Sequence, residues 1–131
     1  MIPLFEILFF IAVNLVPNDA QSLSIVMNGT QTIQLTRQKD GGWENKTSEN
    51  YKGIWSVKKT TVRVEKDDNG GEIDLSQLLK IPDNPDWNTL KELDCGKTKI
   101  KIERQKSGAK IVFVEGKTTR EHQITWEVSK K

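Results

Sequence analysis

The sequence predicts a mainly β fold: an antiparallel β-sandwich, with a small β-barrel as the alternative, carrying one or two short helical turns. Three observations carry that expectation. Apolar and polar residues alternate with period two through the last third of the chain. An Asn-Gly dipeptide joins two β-prone runs near its start, and clusters of Gly, Asn, Asp and Ser punctuate the short apolar runs between. About seven strands at this spacing suit two packed sheets first and a closed sheet second.

The chain has 131 residues, enough for one core, and its opening stretch stands apart. The apolar run from Ile2 to Val16, with ILFFIAV at its centre, ends at Pro17 and is followed by small Ala20 and Ser22. That is the length and ending of a secretory leader, and too short for a bilayer-spanning helix, which needs about 20 apolar residues. Residues 1–22 are therefore expected to be a signal peptide and residues 23–131 a single secreted, extracellular, β-rich domain with no membrane insertion. The absence of Lys or Arg before the run, and Glu6 within it, count against this reading, and the competing one makes the run a buried element of the fold.

Within residues 23–131, LSIVM (23–27) and TQTIQLT (30–36) flank Asn28-Gly29 and predict a first hairpin. Residues 37–53 are polar and Gly-rich and read as a loop from which Trp43 and Tyr51 dip back onto the core. From Ile54 to Glu65, Trp55 and Val57 share one parity and Val62 and Val64 the other, which a turn or bulge near Lys59 reconciles. Asp67 to Gly71 marks another turn. Leu75, Leu78 and Leu79 fit a helical turn capped by Asp74, and Asp86 begins a second one that buries Leu90 and Leu93 before Gly96 ends it. The remainder reads as strands around Lys106-Ser107-Gly108 and Gly116-Lys117, with Trp55, Ile100, Ile102, Phe113, Ile124 and Trp126 forming one core.

Several function classes lack their signatures. The chain's net charge of +2 rises to +4 once Glu6 and Asp19 of the first twenty residues are set aside, which tolerates an anionic partner without implying nucleic acid. Cys95 is the only cysteine, so no internal disulfide forms; it is buried, free, or joins two chains in a disulfide-linked dimer. His122 is the only histidine, and no nucleophile elbow, phosphate-binding glycine loop or zinc motif occurs. Asp67, Asp68, Asn69 and Glu72 gather oxygens without the ligand order of a calcium loop. No enzyme activity, cofactor or metal is expected.

The positive features are few. Lys97, Lys99 and Lys101 alternate along one strand, and Arg104, Lys106 and Lys110 around the next turn extend them into a candidate patch for an anionic partner. Asn28 and Asn45 head N-glycosylation patterns that matter only in a secreted protein. The leading expectation is a secreted, non-enzymatic interaction domain that binds an extracellular protein or an anionic glycan. The alternative is a carrier of a small apolar ligand, with Trp55, Trp126, Phe113 and Ile100 lining the cavity. A hydrolase built on His122 with Cys95 or a serine is the third.

Overall fold

The computed structural model describes residues 3–46, 49–66 and 70–128. One α-helix, α1 (Leu4–Leu15), precedes ten strands: β1 (Ala20–Met27), β2 (Gln31–Arg37), β3 (Trp43–Asn45), β4 (Gly53–Lys58), β5 (Thr61–Glu65), β6 (Gly70–Asp74), β7 (Glu92–Cys95), β8 (Thr98–Gln105), β9 (Gly108–Glu115) and β10 (Thr118–Val128). All ten belong to one antiparallel sheet in the order β6-β5-β4-β3-β2-β1-β10-β9-β8-β7. The first strand is thus the middle of the sheet, and two meanders extend from it to open edges at β6 and β7. The sheet is not closed into a barrel.

Local chemistry accounts for the turns. Asn28 and Gly29 adopt φ of 53° and 73°, the left-handed pair that a type I′ hairpin demands. Lys59, at φ 56°, turns β4 into β5 and sets Val57 opposite Val62, which resolves the parity conflict in the sequence. Asp74 caps a 3₁₀ turn over Leu75–Gln77 by accepting from the Ser76 amide at 3.0 Å.

Two expectations need correction. The loop expected over residues 37–53 contains β3, which Trp43 anchors by burying its indole in the core. The second helix does not form: Asp86 caps one turn through the Asn88 amide, and Leu93 then lies on β7 opposite Ile100. Of the expected core, Trp55, Ile100, Ile102, Phe113 and Ile124 are buried, while Trp126 is half-buried against it.

The interior is assembled around α1. Phe5 and every residue from Ile7 to Ala12 are buried, which is more than one full turn of the helix. A helix apolar all round has to be enclosed, so the apolar face of the sheet curls about it, a shape that the natural twist of strands permits. Phe5 meets Trp55 edge-on at 4.8 Å between ring centroids and Tyr51 at 4.5 Å, and Phe10 meets Trp87 at 5.5 Å. Trp87 belongs to the connection between the two sheet edges. That segment is tied to the turn between β4 and β5 by the Leu75 amide on the Thr60 carbonyl, and to β7 by a bridge between Lys80 and Asp94. That bridge pairs part of the β7 edge, which would otherwise offer unpaired backbone groups.

Candidate functional site

The outward-facing basic residues do not form one surface. Lys99 and Lys101 project outward from β8, but Asp94 and Glu92 of β7 lie directly opposite them, and Lys99 Nζ is 3.6 Å from a Glu92 carboxylate oxygen. Lys110 sits between Glu103 at 3.3 Å and Glu121 at 3.0 Å. Arg104 shares the parity of Ile100 and Ile102 rather than of the lysines, and its guanidinium donates to the Trp87 carbonyl. Lys97 and Lys106 occupy turns at opposite ends of β8, about 30 Å apart at a strand's rise per residue. Charges of both signs therefore alternate over this face.

The other sequence-marked positions are scattered. Asn28 is exposed at its turn. Asn45 is 1 % exposed, and its side-chain nitrogen, the atom a glycan would occupy, donates to the Tyr51 carbonyl at 2.8 Å. Thr47, which completes that pattern, lies outside the described residues, as do Asp67, Asp68 and Asn69 of the oxygen-rich turn. Among the described residues no group of His, Cys, Asp and Glu side chains could hold a metal ion. Cys95 is half-buried on β7, and burial pushes its thiol pKa up, away from the reactive thiolate.

The most constructed site is a cleft open to solvent at the end of the sheet where β10 runs on past the end of β1. Antiparallel register places Thr118 opposite Glu115 and Arg120 opposite Phe113, with His122 one step deeper opposite Ile111. These residues, together with Thr98 of β8 and Leu4 of α1, line a cavity of about 380 Å³. Phe113 and Leu4 supply its apolar walls, Thr98 a hydroxyl, and Arg120 and Glu115 a charged mouth.

His122 is 2 % exposed and makes one hydrogen bond: the Asn28 amide donates to its Nδ1 at 3.0 Å. A ring nitrogen that accepts carries no proton, so the neutral imidazole holds its proton on Nε2. Nε2 is buried and has no partner. Burial pushes the pKa of His122 below its ordinary value, and Arg120 pushes it further, which keeps the ring neutral. A buried donor left without a hydrogen-bond partner costs about 1–3 kcal/mol, and the Phe113 ring meets the imidazole edge-on with centroids 5.1 Å apart. The sequence marked His122 as the lone histidine and as the centre of the hydrolase reading; Arg120 and Thr118 carried no signal until register aligned them with it.

No protein-family model matches the chain, and neither a curated protein nor a solved structure matches it at a significant level.

Proposed function

We propose that the mature protein is a secreted, non-enzymatic carrier of a small apolar ligand, that residues 1–22 are its leader, and that the ligand occupies the space α1 fills. The observation that carries this reading is the enclosure of α1 on every side. A secretory apolar core and a buried core helix have the same composition, so a leader still attached to its domain can occupy the domain's own apolar interior. Cleavage empties that space. It leaves a chamber about 18 Å long, the length of a twelve-residue helix, faced by Trp55, Tyr51 and Trp87. In this reading the two meanders stand as the two layers of a sandwich, held apart by the bound molecule. The intermixed charges on β7, β8 and β9 favour this function over docking of an anionic polymer, whose affinity needs a continuous field of one sign.

The test joins processing to binding. Protein recovered from the medium of secreting cells should begin near Gln21 or Leu23, and it should bind the neutral dye Nile red with quenching of tryptophan emission. The full chain, with α1 in place, should not. Dye binding equal in the two forms, or a secreted product that still begins at Met1, would overturn the proposal.

A further inference from the structure

We propose that Asn28 carries an N-linked glycan, that Asn45 stays bare, and that the glycan covers an open flank of β10. The inference rests on the leader half of the carrier reading, since only an exported chain meets the enzyme that attaches such glycans.

Both asparagines head the three-residue pattern, and their surroundings separate them. Asn28, Gly29 and Thr30 are all exposed at the tip of the hairpin between β1 and β2. Two backbone donors hold that tip: the Thr30 amide on the Met27 carbonyl at 3.2 Å and the Asn28 amide on His122 Nδ1 at 3.0 Å. A sugar on the Asn28 side chain extends into water and disturbs neither bond. Asn45 is the opposite case. It is 1 % exposed on β3, between Leu35 of β2 and Gly53 of β4. Its Nδ2 donates to the Tyr51 carbonyl, which also accepts from the Trp55 indole at 2.8 Å. A sugar on that nitrogen has no room unless β3 leaves the sheet, so the folded product is one in which Asn45 was passed over. The donor at Asn28 is a lipid-linked oligosaccharide pyrophosphate of the export compartment. A bond forms between Nδ2 and the anomeric carbon as that carbon's bond to the pyrophosphate oxygen breaks. The lipid pyrophosphate leaves, and the amide gives up one of its two protons.

Strand register gives the glycan its task. Pairing of β1 with β10 extends only to Val26 and Gln123, whereas β10 begins at Thr118. Among the described residues no strand therefore lies beside the β1-facing side of Thr118–Glu121, and all four residues are exposed. Such a flank offers backbone groups to another chain. The bond to His122 fixes Asn28 at the inner end of this flank, where a bulky, hydrated glycan covers it.

The experiment expresses the full chain in cells that export and glycosylate, and reads the secreted product by peptide mass mapping and size-exclusion chromatography. One glycan is expected, on Asn28. Thr47→Ala removes only the second pattern and should leave that glycan in place. Thr30→Ala removes the first pattern while keeping Asn28 and its bond to His122; it should lose the glycan and elute with oligomers absent from wild type at the same concentration. Thr30→Ser keeps the pattern and should behave as wild type does. A bare Asn28 in the secreted product, a glycan on Asn45, or a Thr30→Ala protein as free of oligomers as wild type would overturn the inference. A product that carries the glycan but still begins at Met1, or fails to bind Nile red, supports this inference and overturns the carrier reading alone.

Discussion

Removing residues 1–22 should bring the remaining domain to the edge of unfolding, and an apolar ligand should recover part of the loss. Phe5, Ile7, Leu8, Phe9, Phe10 and Ile11 are all buried. Burial of each contributes about 1.5–3 kcal/mol, so the helix side accounts for roughly 9–18 kcal/mol and the sheet surface facing it for a similar amount. Against this, a chain without α1 no longer loses the conformational freedom of twelve helical residues, about 12–24 kcal/mol at 1–2 kcal/mol each. The difference is a loss of roughly 6–12 kcal/mol, as large as the whole stability of an ordinary domain, about 5–15 kcal/mol. A ligand at one hundred times its Kd returns about 2.7 kcal/mol, which in a domain of this size raises Tm by roughly 10 °C. Calorimetry of residues 23–131 with and without ligand, beside the full chain, measures both effects. A truncated domain that melts within a few degrees of the full chain, and does so regardless of ligand, would show that α1 contributes nothing to this core.

Two further predictions concern single residues. The folded state holds His122 below its ordinary pKa of 6.5, so the unfolded chain takes up the proton first: the stability that the neutral ring contributes is complete above about pH 6.5 and is lost as the pH falls through the folded value. Urea unfolding at stepped pH should show this as a slope of at most about 1.4 kcal/mol per pH unit, absent from His122→Phe; the same slope in both proteins would place the titration elsewhere. Gly108 faces a tighter constraint, because a Cβ there would stand 2.1 Å from the Ile124 carbonyl oxygen. Gly108→Ala should lose at least about 2 kcal/mol, seen as a fall in Tm, and an unchanged Tm would mean that β9 and β10 approach less closely than described.

Strand placement was legible wherever a local rule decides it. Asn28-Gly29 marked its hairpin, and the alternation from Thr98 to Val128 marked β8 to β10, because a left-handed turn and a two-sided strand each leave a signature within a few residues. The misreadings have equally local causes. Leu90 and Leu93 fit a helical spacing as well as a strand end, and only the pairing of Leu93 with Ile100 separates the two. β3 is three residues long, too short for alternation to show. The cavity was illegible for a different reason: His122 is defined by a hydrogen bond to a residue 94 positions away, and a lone sequence contains no such register. The lysines illustrate the converse, since alternation identified Lys99 and Lys101 as outward-facing but could not reveal the carboxylates on the neighbouring strand.

The position of β1 at the centre of the sheet governs when this fold can be completed. Each meander pairs strands that follow one another in sequence, so each closes short loops and can form as soon as it has been synthesised. The seam between β1 and β10 joins the start of the domain to its end, where Leu23 lies beside Trp126. Until the final strand emerges, β1 has only β2 beside it, and its other edge stays unpaired in an oxidising, crowded compartment if the chain is exported. Closure of that seam is then the step that commits the protein to its native state, and the interval before it is when the chain is most exposed to mispairing with its neighbours.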